Sequence, residues 1–231
     1  MTAMRSALFL AWFLAVTTVL SLVFLPVLVL PRGATVWLAR VWSRATFFGL
    51  KWLAGVDWEI RGVAPKGPVL VAAKHMSMWD TLALYLALES PAIVLKRSLL
   101  TIPFYGWFLW KATAIAIDRG AGAAALRKMS AAAQKVLGEG RPILIFPEGT
   151  RKKPHAPPDY KPGVAGLYAL LKAPCVPVAL NSGVYWTGFI KKPGTIVLEF
   201  LEPIAPGLKR EAFMALLEER IETATNRLLA P

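Results

Sequence analysis

A histidine and an aspartate five residues apart, in Lys74-His75-Met76-Ser77-Met78-Trp79-Asp80, have the chemistry to move a proton. A carboxylate bonded to one imidazole nitrogen fixes the tautomer and leaves the other as a base near neutral pH, able to activate a hydroxyl. On an ideal helix, residues five apart differ by about 140° around the axis, so the two side chains do not share a helical face. They converge if His75 sits in a strand-to-helix turn and Asp80 in the first helical turn. Val69 to Ala73 supplies the strand and Ser77 the cap. The competing reading is a histidine that packs at the helix start, with Asp80 serving the helix dipole. Ser77 as a nucleophile lacks a glycine-flanked elbow. The chain has two histidines and one cysteine, and His155 lies in a Pro-rich loop. That set does not reach the ligand count of a zinc site, and no metal or cofactor is expected.

A second cluster, Phe146-Pro147-Glu148-Gly149-Thr150-Arg151, places a carboxylate and a guanidinium around a glycine turn. Both clusters follow apolar, strand-like runs, the position at which open α/β sheets carry their chemistry. Short β-type runs occur at Trp58–Arg61, Val69–Ala73, Ala92–Leu95, Thr113–Ile117, Ile143–Phe146, Cys175–Ala179 and Ile196–Phe200. Helical patterns lie at Trp79–Leu88, Ala123–Leu137, Val164–Leu171 and Arg210–Leu229, the last spaced by Phe213, Leu217, Ile221 and Leu228. This alternation predicts an α/β fold with a mixed, largely parallel sheet flanked by helices. Arg151 to Pro162 reads as a polar loop beside the glycine turn.

Lys and Arg outnumber Asp and Glu by 27 to 14, a formal net charge of +13, which points to an anionic partner. A mean hydropathy of +0.50 and nine tryptophans favour lipid over nucleic acid. The lone Cys175 permits no intrachain disulfide and reads as a small buried strand residue. No charged residue occurs from Ser6 to Pro31, a run that meets the roughly 20 apolar residues of a spanning helix. A secretory signal peptide is the competing reading, but its apolar region runs only about 7–15 residues. Pro26 and Pro31 are expected to end the helix. Ala34 to Val56 then interleaves Trp37, Trp42, Phe47, Phe48 and Trp52 with Arg40, Arg44 and Lys51, suiting a headgroup boundary or a helix packed on the domain. Residues 1–56 are therefore read as membrane helices, a span or a hairpin, and residues 57–231 as an α/β domain.

The two clusters, followed in order by Ala116-Ile117-Asp118-Arg119, Tyr160-Lys161-Pro162-Gly163 and Val176-Pro177-Val178-Ala179-Leu180-Asn181, resemble the glycerolipid acyltransferase family, and within it the bacterial 1-acylglycerol-3-phosphate acyltransferases. The ordered set runs from about Val69 to Glu202, and Lys74 stands where the commonest form of the first motif has asparagine. The resemblance implies acyl transfer without a covalent enzyme intermediate. His75, oriented by Asp80, deprotonates the free hydroxyl of lysophosphatidate, which attacks an acyl thioester to give phosphatidate. It also implies that Arg119 grips the acceptor phosphate, a task for which a guanidinium is suited.

Arg151 and Lys161 are expected to complete a cationic pocket, with the Gly149 backbone approaching the ligand closely. Glu148 is expected to orient Arg151, Thr150 or the acceptor glycerol. The oxyanion donors are not identified beyond backbone amides near His75, and the apolar stretch Leu99 to Phe108 is read as lining an acyl channel or dipping into the bilayer. Acyl-CoA and acyl carrier protein both present anionic surfaces, so either donor fits this basic chain. The implied setting is the bacterial inner membrane, with the catalytic domain facing the cytoplasm. Another lysolipid or glycolipid acceptor, a lipid hydrolase and a non-catalytic membrane-binding protein are the alternatives. Only the last predicts that His75 and Asp80 are dispensable.

Overall fold

The computed structural model of the chain describes residues 1–112, 114–118 and 122–230. It begins with α1 (Thr2–Val23), a 3-10 turn over Leu25–Val29, α2 (Arg32–Gly49) and a π-helical turn over Leu50–Ala54. Then follow β1 (Val56–Arg61), β2 (Leu70–Ala73), α3 (Met78–Ala87), β3 (Ala92–Lys96), a 3-10 turn over Arg97–Thr101, α4 (Tyr105–Lys111) and β4 (Ile115–Ile117). Next come α5 (Gly122–Gly138), β5 (Ile143–Ile145), α6 (Gly163–Leu171), β6 (Cys175–Leu180) and α7 (Ser182–Tyr185). The short strands β7 (Trp186–Thr187) and β8 (Ile190–Lys191), the long β9 (Gly194–Phe200) and α8 (Arg210–Leu229) complete the chain.

β2, β5 and β6 are buried at every position, as parallel strands covered on both faces must be, and this is why they read as unbroken apolar runs. The main sheet has the order β1-β9-β6-β2-β5-β3-β4. All its pairings are parallel except that of β6 with β9. β2 therefore lies between β5 and β6, and the carboxyl ends of these three neighbours open on one edge of the sheet. Alternation divides the side chains between two layers. Val69, Val71 and Ala73 pack under α2 and α3, while Leu70 and Ala72 pack under α5, α6 and α8. α8 buries Phe213, Leu217 and Ile221 at four-residue spacing, so one stripe meets the sheet.

The amino-terminal run ends as its prolines dictate: α1 stops at Val23 and Pro26 enters the first turn of the 3-10 segment. α1 and α2 form a hairpin tied along its length. Trp12 Nε1 donates to the Ala45 carbonyl and Trp42 Nε1 to Thr17 Oγ1, each at 2.9 Å. A side chain at Gly49 would overlap the Trp12 ring, so glycine permits this approach. At its base α1 is pinned to the sheet domain. Arg5 Nε donates to the Leu53 carbonyl, and Ser6 Oγ accepts the Lys191 amide from β8, both at 2.9 Å. The Lys191 ammonium sits 4.6 Å from the Trp186 ring and 5.5 Å from Phe9, and burial pushes its pKa down to about 8. α1 is long and apolar enough to cross a membrane, and little of its apolar stretch is buried within the protein.

α2 serves both ends of the sequence reading. Trp37, Phe48 and Trp52 are exposed, whereas Phe47 is buried and stacks on Trp79 at 5.5 Å. Arg40 corrects the expectation of a headgroup cation. Its guanidinium turns inward and donates to the carbonyls of Tyr85, Leu86 and Leu88 at 3.0–3.2 Å, capping the carboxyl end of α3. Arg40→Met is expected to cost about 1–3 kcal/mol, because the last-turn carbonyls lose a charged donor inside the α2–α3 contact. Urea denaturation measures this; an unchanged midpoint would mean water replaces the guanidinium at no cost.

Candidate active site

His75 and Asp80 meet because β2 ends at Ala73 and α3 begins at Met78, leaving a four-residue turn between them. Ser77 caps α3 and Asp80 occupies its third position, completing a capping box. Asp80 is fully buried, and its Oδ2 accepts the amides of Met76 and Ser77 at 2.7 and 2.8 Å and contacts His75 Nδ1 at 2.9 Å. Its Oδ1 accepts the Ser77 hydroxyl at 3.1 Å and the hydroxyl of Ser182, which follows β6. With Nδ1–H donating to Asp80, Nε2 carries the lone pair of the neutral ring. His75 stacks on Phe146 at 3.9 Å between centroids, and its side chain is 12% exposed. The amides of Met76 and Ser77 already donate to Asp80, which removes these two neighbours of His75 from the candidate oxyanion donors.

The glycine turn follows β5, the parallel neighbour of β2. Gly149 holds φ at +67°, and its amide closes the turn on the Phe146 carbonyl at 2.9 Å. A β-carbon would strain this left-handed position, which is why glycine stands here. The turn is stitched to the first motif and to the loop beyond. The Lys152 amide donates to the His75 carbonyl at 2.8 Å, and the Lys161 amide to the Pro147 carbonyl at 2.9 Å.

Thr150 and Arg151 are exposed on the turn, and the Arg151 guanidinium has no hydrogen-bond or ion-pair partner among the described residues. The exposed Lys161 ammonium is held by Asp159 at 2.6 and 2.7 Å. Glu148 meets neither of the two side chains expected of it, which leaves the acceptor glycerol of the three expected partners. Its Oε1 accepts the buried Lys74 ammonium at 3.1 Å, and neither Arg151 nor Thr150 bonds it. Burial pushes the Glu148 carboxyl above the ordinary carboxylate range, opposed chiefly by Lys74. Arg119 lies outside the described residues, beyond the carboxyl end of β4.

The apolar stretch after Lys96-Arg97 divides. Phe108 lines an apolar cavity of about 150 Å³ with Leu20, Leu38, Trp42, Leu82 and Tyr85, whereas Ile102, Phe104 and Trp107 are exposed. Among the described residues, no group of three or more His, Cys, Asp or Glu side chains is placed to hold a metal ion. Sequence reasoning missed the Ser182 hydroxyl, the Phe146 stack and the partners of Lys74. Only the Ser77-x-x-Asp80 capping box carried a local signal for the hydroxyl set around Asp80.

A buried carboxylate that orients one imidazole nitrogen, with cationic groups on an adjoining turn, is equipped to remove a hydroxyl proton near an anion. Comparison with known proteins gives the family. A family model described as Acyltransferase matches residues 57–181. The chain is similar to the 1-acyl-sn-glycerol-3-phosphate acyltransferase of Pseudomonas aeruginosa, 37% identical over 67% of this chain. That match spans 62% of the relative's own length. It is 30% identical to the 1-acyl-sn-glycerol-3-phosphate acyltransferase alpha of Ovis aries, over 85% of this chain and 72% of that protein. The fold is shared with the crystal structure of the 1-acyl-sn-glycerophosphate acyltransferase of Thermotoga maritima, with a TM-score of 0.81 at 21% identity, covering 100% of this chain and 99% of that one. With the family model spanning more than half of its length, the chain belongs to the acyltransferase family.

Proposed function

We propose that the protein transfers an acyl group from an acyl thioester, carried by CoA or acyl carrier protein, to the free hydroxyl of 1-acylglycerol-3-phosphate, giving phosphatidate. The observation that carries this reading is the His75 ring, held by Asp80 through Nδ1 at 2.9 Å, with Nε2 unpartnered among the described residues. The relatives named for this reaction support the choice of acceptor. As the acceptor oxygen bonds to the thioester carbonyl carbon, Nε2 takes its proton and Asp80 stabilises the resulting imidazolium. Collapse of the tetrahedral intermediate breaks the C–S bond, and the thiolate leaves with that proton. Positioning of the two substrates and charge stabilisation at the carbonyl supply the rest of the acceleration.

In this reading Arg119, Arg151, Thr150 and the Gly149 backbone receive the acceptor phosphate, and Lys161 joins them by exchanging Asp159 for it. The apolar cavity beside Phe108 takes part of an acyl chain. Residues 1–56 hold residues 57–231 against the cytoplasmic face of a bacterial inner membrane. The ties of α1 to α2 and to the domain support a hairpin that enters one leaflet.

The test is acyl transfer by the purified chain in liposomes, with acyl-CoA or acyl carrier protein as donor and lysophosphatidate or monoacylglycerol as acceptor. Phosphatidate is the expected product. Arg151→Ala is expected to raise the lysophosphatidate KM by about tenfold, the worth of one charge-assisted hydrogen bond. Equal acylation of monoacylglycerol, release of free fatty acid alone, or no product with either donor would overturn the reading.

A further inference from the structure

We propose that Lys74 is a positioning residue for this acyl transfer: its ammonium, held between Glu148 and Glu222, sets the Glu148 carboxylate and ties the glycine turn to α8. The proposal deepens the acyltransferase reading and rests on it. Lys74 extends β2, its amide donating to the Val178 carbonyl at 2.9 Å, so alternation sends its side chain to the layer that holds Leu70, Ala72 and α8. There Nζ donates to Glu148 Oε1 at 3.1 Å and to Glu222 Oε1 at 2.7 Å, and the Tyr160 hydroxyl donates to the same Glu222 oxygen at 2.9 Å.

One small network therefore joins the histidine segment, the glycine turn, the start of the Tyr160-Lys161-Pro162-Gly163 segment and the carboxyl-terminal helix. The Lys74 and Glu148 side chains are 2% and 1% exposed, so the Lys74 bond to Oε1 operates with little competition from water. The other Glu148 oxygen, Oε2, is buried without a partner among the described residues. With Oε1 fixed on Lys74, the unpartnered Oε2 retains acceptor capacity for a further donor, as from the acceptor glycerol. Lys74 thus has a duty beyond neutralising Glu148: it determines which way Oε2 faces.

Lys74 and Glu222 also line a cleft of about 740 Å³ between the 155–158 loop and α8, where water can hydrate the network in a variant. Lys74→Met, Glu148→Gln and the double variant are compared in liposomes with acyl-CoA and lysophosphatidate. Lys74→Met is expected to raise the lysophosphatidate KM about tenfold while leaving the acyl-CoA KM within about threefold, since only the acceptor side loses an aligned group. The double variant is expected to lose no more than Glu148→Gln alone, because Lys74 acts through Glu148. An unchanged lysophosphatidate KM, or losses that multiply in the double variant, would overturn the proposal.

Hydrogen exchange provides a readout that does not depend on turnover. The Gly149 and Lys161 amides are expected to exchange about tenfold faster in Lys74→Met, with β2 and β6 amides unaltered. Unaltered turn amides overturn the proposal even if the parent makes no phosphatidate, whereas missing phosphatidate overturns only the proposed substrate. If Lys74→Met does not fold, Glu222→Gln, whose side chain is 18% exposed, replaces it. It is then expected to raise the same KM about threefold, and an unchanged KM overturns the proposal.

Discussion

His75→Ala is expected to lower kcat for phosphatidate formation by about 10²–10⁴-fold while leaving both KM values within about threefold, the signature of a lost proton acceptor. Among the described residues, the His75 ring is a base that the structure both orients and leaves partly open. Nδ1 is occupied by Asp80, Nε2 has no hydrogen-bond partner among the described residues, and the flat face rests on Phe146. Alanine leaves space at the edge of the site, next to a side chain that was already partly solvent-accessible, so the loss of stability is small beside that of a core truncation. His75→Gln serves as a control of similar bulk that cannot act as a base near neutral pH, and it is expected to fall as far. Either variant retaining more than a tenth of the parent kcat would assign the proton to another group, and equal activity would move the chain to a non-catalytic role.

Asp80→Asn should lower kcat almost as far, by about 10²–10⁴-fold, with the fold intact. The amide can place its oxygen where Oδ2 now accepts the Met76 and Ser77 amides and the Nδ1 proton, and its nitrogen where Oδ1 meets the Ser77 and Ser182 hydroxyls. Hydroxyls can reverse and accept from that nitrogen, whereas the flipped amide would oppose three N–H groups and is disfavoured. Geometry therefore survives while the negative charge that stabilises the imidazolium is removed. Asp80→Ala removes the acceptor altogether, leaving buried amides unpaired at about 1–3 kcal/mol each, and is expected to unfold more readily. A melting midpoint for Asp80→Asn close to the parent, with kcat reduced, separates the electrostatic role from the structural one. A kcat within threefold of the parent would refute it.

The sheet was legible because its central strands are covered on both faces, so Val69 to Ala73 and Cys175 to Leu180 show no polar interruption. α8 was legible for the opposite reason, a single apolar stripe at Phe213, Leu217 and Ile221 on an otherwise polar helix. α4 was not, because its apolar residues follow no helical period, and neither were the two-residue strands β7 and β8. At the site, the approach of His75 to Asp80 followed from a strand, a cap and a turn, all local. Lys74 depended on Glu222, 148 residues away, and Asp80 on Ser182, 102 residues away, pairings that only the closed sheet brings about. Arg40 misled because its place among aromatic residues resembles a lipid-facing pattern. A long side chain can carry its charge away from the face its backbone occupies.

The pin between Ser6 and the Lys191 amide also sets an order of events during synthesis. The two residues are 185 positions apart, so at about 5–20 residues per second the ribosome leaves α1 without this partner for roughly ten to forty seconds. An apolar helix waiting that long in water invites self-association, and neither Leu53 nor α2 covers its outward face when they arrive. The schedule calls for a surface that shelters α1 from the start, and a bilayer supplies one. The nascent chain would then reach lipid before β7 and β8 exist, and the finished domain would close onto a helix already in place.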